Sequence, residues 1–182
     1  LMEACIEHGK ELIVLDRPNP LGGEKIEGCL VEDGYISFVS QFKIPYLYGQ
    51  TPGELALYLN ATDYENKCKL TVVEMKGWKR DMTWDETGLE WIVASPHVPH
   101  GQSAVFYPVT GIFGEFGYIS IGVGYTLPFE VMGAPWISAD TLAEAMNALE
   151  LPGLEFRPIY YKPYYSTFQG ELCQGAQIHI LA

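Results

Sequence analysis

LDRPNPLGG, residues 15–23, is a segment in which an apolar run ends at a charged pair and regular secondary structure cannot continue. Its two prolines fix φ and remove two backbone donors, and its two glycines permit positive φ. Asp16, Arg17 and Asn19 are therefore predicted to lie on a stiff, irregular loop that leaves a strand. Because ligands of open α/β sheets bind outside the carboxyl ends of the strands, this loop is a candidate functional site.

The segments around this loop alternate between helical and extended patterns. Residues 2–9 have helical apolar spacing and end at a glycine, and residues 11–15 have an apolar strand pattern. The TPGE sequence of residues 51–54 is typical of a helix start, with a capping threonine and a glutamate that reaches back to it. Residues 70–75 are rich in β-branched side chains and predict another strand. This alternation predicts an α/β fold with a mostly parallel or mixed sheet.

A change in sequence pattern predicts a second domain. Residues 95–101 contain two prolines and a glycine between two differently patterned regions, so we predict domains over residues 1–101 and 102–182. The apolar, glycine-rich residues 104–136 predict short strands rather than long helices. The second domain is therefore expected to be a smaller α+β domain. Its later part is predicted to contain one helix and two strands, at residues 138–149, 154–161 and 177–181.

The composition is ordinary for a globular protein, with 48% hydrophobic and 19% charged residues. Eleven lysines and arginines against 23 acidic residues give a formal charge of -12, which argues against nucleic acid as a partner because phosphate binding needs clustered cations. The four cysteines lack the spacing of a zinc site. No apolar run reaches the roughly 20 residues of a membrane helix, and the first residues do not resemble a signal peptide. Neither a cofactor nor a metal is predicted.

Five segments resemble the NamZ-type exo-β-N-acetylmuramidase family in their order and spacing. The segments lie at residues 15–23, 49–56 (GQTPGELA), 70–81 (LTVVEMKGWKRD), 128–137 (PFEVMGAPWI) and 170–175 (GELCQG), and the resemblance covers nearly the whole chain. The resemblance implies a Rossmann-like N-terminal domain, followed by a smaller C-terminal domain, with the active site between them. In that case residues 1–101 are the back half of the Rossmann-like domain. Members release terminal N-acetylmuramic acid from peptidoglycan fragments, so the resemblance implies a glycoside hydrolase.

The sequence also departs from the family pattern. Members carry a Gly-Pro-Glu-His-Gly type motif ahead of the segment at residues 15–23, and its glutamate is the expected catalytic acid. This sequence contains no such string, so we expect a central fragment, truncated at both ends and inactive alone, against which the remainder of the polypeptide packs. Many members have Ser-x-Gly-Arg-Gly-Thr over the residues aligned with 120–126, where Val123 stands at the arginine position. If that arginine binds a substrate carboxylate, the substrate identity stays open for this chain.

The loop at residues 15–23 supplies three candidate site residues. Asp16 is the first candidate for a catalytic carboxylate, and pairing with Arg17 or capping of the loop is an equal alternative. Glycoside hydrolysis usually needs two carboxyl groups, and the sequence contains no unique pair. Arg17 and Asn19 are candidates for holding sugar hydroxyls or a carboxylate, and the alternative is that they satisfy backbone groups of the proline-locked turn.

Two further candidates lie later in the sequence. Residues 76–81 (KGWKRD) place three positive charges beside an indole, so Arg80 is predicted to help bind a sugar that carries a carboxylate, unless this is a solvated turn whose tryptophan packs on the core. His97 and His100 are three residues apart, but the proline between them precludes a helical turn and no third ligand lies nearby. The two are therefore considered as loop histidines, or His97 as a sugar contact, rather than as metal ligands.

The sequence thus leaves two functional hypotheses. The first is a piece of a peptidoglycan glycoside hydrolase in which Arg17, Asn19, Arg80 and His97 bind the substrate. The second is a non-catalytic carbohydrate-binding or structural domain of a cell-wall protein. Either function implies a periplasmic or extracellular location in a bacterium. Whether hydrolysis retains or inverts the anomeric configuration depends on a carboxylate separation that the sequence does not provide.

Overall fold

The computed structural model describes residues 1–181, which form two compact units. The first unit ends at Glu90 and the second begins at Trp91. Helices combine with a parallel strand pair and an antiparallel sheet, which confirms the predicted α/β class with mixed strand directions. The predicted domain boundary after residue 101 lies further along the chain and stays a prediction.

The first unit is built on one pair of parallel strands. The strands β1 (Glu11–Leu15) and β2 (Lys69–Val73) pair in parallel along their whole lengths. The helices α1 (Met2–Glu7) and α2 (Pro52–Thr62) accompany them, and a single 3-10 turn (Asp85–Thr87) follows. The predicted helix–strand–helix–strand order of this region is therefore present.

Only one face of this strand pair packs on the core of the first unit. Burial alternates along both strands, so Leu12 and Leu70 contact a core cluster that contains the buried Met2, Leu59 and Cys68. The alternate side chains, including Ile13 and Leu15, are exposed. Parallel sheets are usually covered on both faces, so this apolar face is unusual for a parallel pair.

Both ends of α2 are held by side-chain hydrogen bonds. At its start the Thr51 hydroxyl accepts from the Glu54 amide at 3.2 Å, and the Glu54 carboxylate accepts from the Thr51 amide at 3.0 Å. This is the predicted capping box, in which two free amides are satisfied reciprocally. Near its end the buried Asn60 side chain donates to the Cys68 carbonyl at 3.0 Å and accepts from the Cys68 amide at 3.1 Å. The helix is thereby tied to the segment that enters β2.

The second unit is a three-stranded antiparallel sheet with helices. Its helices are α3 (Gly101–Glu115) and α4 (Ala139–Asn147), and its strands are β3 (Val131–Ala134), β4 (Leu154–Tyr161) and β5 (Cys173–Ile180). β5 lies in the middle of the sheet, between β3 and β4. The last strand begins at Cys173, whereas the sequence predicted that it begins at residue 177.

A core cluster and one buried phenol anchor this sheet. The cluster contains Val131, Ile159, Tyr161 and Cys173, one or more from each strand. The Tyr161 hydroxyl donates to the Ser120 carbonyl at 3.0 Å, and burial raises the pKa of this phenol well above its usual value. Tyr161 therefore stays a neutral hydrogen-bond donor and ties β4 to the loop that precedes β3.

The prediction of short strands rather than long helices over residues 104–136 is wrong. The first part of this region is α3, a helix of 15 residues, and β3 is the one strand within it. The buried side chains Ser103, Phe106 and Thr110 recur at helical spacing. Gly114 serves close packing within this arrangement, because a Cβ atom there would lie 2.6 Å from the Ile121 side chain. The glycine content favoured strands, whereas in the fold Gly114 allows the Ile121 side chain to pack against α3.

We expect Gly124→Ala to destabilise the second unit more than Gly153→Ala. Both glycines have positive φ, but a Cβ on Gly124 would lie 2.0 Å from the Tyr165 carbonyl oxygen, whereas one on Gly153 meets no atom within 4 Å. Gly153→Ala should lower the free energy of unfolding by about 1–2 kcal/mol from left-handed backbone strain alone. Urea unfolding of the two variants measures the difference, and equal losses would contradict the proposed clash.

Candidate functional site

The carboxylate of Asp16 lies at the N-terminus of α2. Its oxygens accept from the Thr51 hydroxyl at 2.8 Å, from the Gly53 amide at 2.8 Å and from the Arg17 amide at 3.0 Å. Free amides and the helix dipole make a helix N-terminus favourable for a negative charge. A Cβ on Gly53 would lie 2.7 Å from the Asp16 carboxyl carbon, so this approach requires the glycine.

Asn19 and Arg80 hold the same loop from two other sides. The Asn19 side chain donates to the Gln50 carbonyl at 3.0 Å and accepts from the Leu21 amide at 3.0 Å. The Arg80 guanidinium donates to the carbonyls of Gly23 at 2.9 Å and Gly49 at 2.8 Å, and it pairs with the Glu54 carboxylate. The polar contacts of both side chains are therefore made within the protein.

We call Asp16, Asn19, Thr51, Glu54 and Arg80 the loop clamp. Together they join the loop after β1 to the segment that starts α2, so the structure brings three of the sequence-predicted site residues into one network. Arg17, by contrast, is exposed, and its guanidinium has no hydrogen-bond or ion-pair partner among residues 1–181. Direct substrate binding by these residues stays a prediction.

A pocket of about 270 Å³ lies beside the carboxyl ends of β1 and β2. This volume is close to the lower end of the roughly 300–1,000 Å³ that small-molecule sites occupy. The walls are mostly apolar, and its lining residues come from the segments that follow the two strands and from the 3-10 turn, namely Pro18, Met75, Lys76, Gly77, Trp78, Met82, Thr87 and Leu89. The position is the one that open α/β sheets use for ligands.

Trp78 and Lys76 are the residues of this pocket with polar groups left unpaired. The indole Nε1 of Trp78 is buried and finds no acceptor among residues 1–181. One side of the indole faces Arg80, whose guanidinium carbon lies 5.7 Å from the ring centroid. Lys76 is exposed, and none of the described carboxylates forms an ion pair with it. The charge of this segment is evident from the sequence, but Lys76 is not among the residues predicted for the site.

His97 belongs to the second unit, whereas the other predicted site residues belong to the first. Its ring stacks on Tyr165, with centroids 5.8 Å apart and planes 11° from parallel. His97 is half-buried, and Tyr165 is exposed. The two rings form an aromatic surface of the kind that can contact a sugar, and the role of His97 as a sugar contact stays a prediction.

A buried carboxyl group in the second unit was missed by the sequence analysis. Glu130 is 7% exposed, and its Oε1 lies 3.1 Å from Nε2 of His100. Burial raises the pKa of this carboxyl group, while the nearby imidazoles of His100 and His179 act in the opposite direction. The other ring nitrogen of His100 lies 3.3 Å from the Ser103 hydroxyl. No sequence spacing could have found this cluster, because its residues meet only through the packing of α3, β3 and β5.

The second unit also shows what occupies the position where many family members have arginine. Val123 is half-buried and packs against a cluster of Phe106, Ile121 and Phe129.

Among residues 1–181 no group of three or more metal-ligating side chains occurs. The helices described in this chain include none with the length and hydropathy needed to cross a bilayer.

The fold and the pocket define an α/β protein with a ligand-sized cavity at its parallel strand ends. Sequence comparison adds the family: residues 1–102 match the N-terminal model of exo-beta-N-acetylmuramidase NamZ, and residues 105–182 match its C-terminal model. The chain therefore belongs to the NamZ exo-beta-N-acetylmuramidase family, which confirms the predicted resemblance.

Three relatives illustrate this similarity. The chain is 46% identical over 179 residues to peptidoglycan beta-N-acetylmuramidase NamZ of Bacillus subtilis (strain 168), covering 98% of this chain and 43% of the relative. It is similar to the crystal structures of two DUF1343 family proteins from Bacteroides fragilis NCTC 9343. One has 61% identity and a TM-score of 0.90, and the other has 28% identity and a TM-score of 0.78. All of this chain aligns with each, over 47% and 48% of their lengths, so the chain spans less than half the length of these relatives.

Asp16→Ala should destabilise the first unit. The substitution removes the acceptor of the Thr51 hydroxyl and of the Gly53 amide, and hydrogen bonds to a charged group contribute about 1.5–3 kcal/mol. We expect a loss of that size in the free energy of unfolding, measured in urea. Asp81→Ala, at an exposed aspartate of the same unit, is the control. Equal stability of Asp16→Ala and the unsubstituted chain would refute the capping role.

The free energy of unfolding of Glu130→Gln, relative to that of the unsubstituted chain, should increase as the pH rises above the ordinary glutamate pKa of about 4.3. Burial raises the pKa of Glu130, so the folded chain holds this proton more tightly than the unfolded chain. The protonated carboxyl contributes stability below the ordinary pKa, and this contribution is lost as the pH rises through the folded-state pKa. Glutamine does not titrate, and Glu144→Gln at an exposed position is the control. Urea unfolding between pH 4 and 8 tests this, and a pH-independent difference would contradict it.

Proposed function

We propose that this chain is the substrate-holding part of an exo-β-N-acetylmuramidase, which releases terminal N-acetylmuramic acid from peptidoglycan fragments. The observation that carries the proposal is the pocket of about 270 Å³ at the carboxyl ends of β1 and β2, in a chain of this family. A cavity of this size suits one sugar unit rather than an extended chain, as an enzyme acting on the terminal residue requires. Its apolar walls suit the hydrophobic face of a sugar ring.

The loop clamp has a positioning role in this proposal. Glycosidases usually need one protonated and one ionised carboxyl group at the scissile bond. Both oxygens of Asp16 are already bound by donors, and the Glu54 carboxylate is bound by Arg80 and by the Thr51 amide. We therefore assign Asp16 to shaping the loop beside the pocket rather than to proton transfer. The carboxyl groups that carry out hydrolysis are left unassigned.

The predicted substrate-binding residues divide into two groups in the proposal. We assign Arg17 a direct contact with the substrate, because it adjoins Pro18 of the pocket lining and its exposed guanidinium has no partner among the described residues. Asn19 and Arg80 keep the loop and the Trp78 indole in place through their internal hydrogen bonds. His97 offers an aromatic contact with Tyr165 in the second unit.

The substrate also determines the location that we propose. Peptidoglycan surrounds bacterial cells outside the cytoplasmic membrane, so the protein acts in the periplasm or outside the cell. The partners in this proposal are peptidoglycan-derived sugars, and for this chain also the remainder of the polypeptide. No role for nucleic acid is proposed, given the formal charge of -12.

The activity is tested with the whole protein and a chromogenic β-glycoside of N-acetylmuramic acid. We expect cleavage, and we expect Arg17→Ala to lower kcat/KM by about tenfold, the effect of losing roughly 1.4 kcal/mol of substrate contact. Unfolding of Arg17→Ala should be unchanged because the side chain is exposed. Lys10→Ala, at an exposed lysine of the same unit, is the matched control for the loss of a positive charge.

Binding measurements separate this proposal from the alternative function. Calorimetric binding of peptidoglycan fragments without any cleavage would support the non-catalytic carbohydrate-binding domain and overturn the enzyme. Absence of both cleavage and binding would overturn the enzyme and the carbohydrate-binding domain, and would leave the structural domain.

A further inference from the structure

The pocket of the first unit differs in charge from the rest of the chain. The chain has 23 acidic residues and a formal charge of -12, yet none of the residues that line the pocket is acidic. One of them, Lys76, is positively charged. An anionic ligand is repelled by the chain as a whole, so a site for such a ligand needs a local cation and no neighbouring carboxylate. The pocket lining satisfies both conditions.

Lys76 also differs from those cations of the first unit that form ion pairs with acids. Lys67 and Lys69 pair with Glu65 and Glu11, and Arg80 pairs with Glu54. Lys76 has no such partner among residues 1–181. The carboxylate of Glu86, in the 3-10 turn, is held elsewhere, because it accepts from the amide and the hydroxyl of Thr83. The ammonium group of Lys76 is thus left without a carboxylate partner in the described part of the chain.

The remaining polar groups of the pocket lining agree with an acceptor-rich ligand. The Thr87 hydroxyl is already used, since it donates to the Trp84 carbonyl at 2.6 Å and accepts from the Leu89 amide at 3.3 Å. Among residues 1–181 the Lys76 ammonium is the unpaired donor of the pocket lining that is exposed, whereas the unpaired indole N–H of Trp78 is buried. A ligand that brings a negative charge would complement the Lys76 ammonium.

We propose that Lys76 selects a carboxylate-bearing amino sugar over the corresponding neutral sugar, with the ligand's carboxylate on the Lys76 ammonium and its ring against Trp78. The inference rests on the proposed function, because N-acetylmuramic acid carries a lactyl carboxylate that N-acetylglucosamine lacks. The methionines 75 and 82 supply an apolar surface for the same ring. Lys76 is then the specificity residue of the pocket, and it takes no part in proton transfer.

The test is calorimetric binding of free N-acetylmuramic acid and free N-acetylglucosamine to the whole protein. We expect the acidic sugar to bind at least tenfold more tightly, as one charge-assisted contact allows. Lys76→Gln should abolish this preference and leave the affinity for N-acetylglucosamine unchanged, whereas Lys76→Arg should retain it. Lys79→Gln removes a neighbouring exposed lysine that does not line the pocket, and it should leave the preference intact.

Two further measurements make the result specific. Trp78→Phe keeps an aromatic ring but offers a smaller surface to a sugar ring, so it should weaken the binding of both sugars without changing their ratio. The preference for the acidic sugar should also shrink as the salt concentration rises, because Lys76 is exposed and its ion pair is screened. An unchanged ratio in Lys76→Gln would overturn the inference.

The outcomes distinguish this inference from the proposed function. If the whole protein cleaves the N-acetylmuramic acid glycoside but Lys76→Gln keeps the preference, the role of Lys76 is wrong and the enzyme stands. If binding of the acidic sugar depends on Lys76 but nothing is cleaved, the pocket assignment stands and the activity is wrong.

Discussion

The contact between the Asp16 carboxylate and the first turn of α2 is the constraint on which the arrangement of the first unit depends. A charged side chain at the end of β1 satisfies the Gly53 amide and the Thr51 hydroxyl, so the strand and the helix that returns to β2 are joined at one point. Asn19 and Arg80 extend this link to the backbone around Gly23, Gly49 and Gln50. The loop that borders the pocket is therefore held by hydrogen bonds rather than by a hydrophobic core of its own.

This arrangement separates the polar groups that build the site from those left for a ligand. Arg80 could bind a sugar carboxylate, and Asp16 and Glu54 could accept from sugar hydroxyls, but their contacts lie within the protein. Lys76 and the Trp78 indole are left without internal partners among residues 1–181. A ligand therefore meets the exposed Lys76 ammonium at the pocket, while the carboxylates of Asp16 and Glu54 are occupied by backbone amides, the Thr51 hydroxyl and Arg80. The pairing of charges inside the fold thus decides which charges are available outside it.

The sequence predicted those parts of the structure that depend on local chemistry. The capping box at residues 51–54, the strand at Glu11–Leu15 and the irregular loop after it follow from short-range hydrogen bonding and backbone restriction. The helix α3 was missed because glycine frequency was weighed above the helical spacing of Ser103, Phe106 and Thr110. The Glu130 carboxyl group was missed for a different reason, since its contacts with His100 and the neighbouring His179 join three separate elements.

By itself the sequence determined the fold class, the family and the residues gathered around the first loop, because motif order and capping patterns are properties of neighbouring residues. Only the tertiary structure decided what each of those residues does. Whether Asp16 caps a helix, and whether Arg80 supports an indole, depends on which donor or ring lies within about 3–6 Å. Whether Lys76 pairs with a carboxylate depends on its neighbours in the same way. Such distances are set by the packing of segments far apart in the chain. The residue type determines what a side chain can bind, and its packed neighbours determine whether its donors and acceptors are already paired.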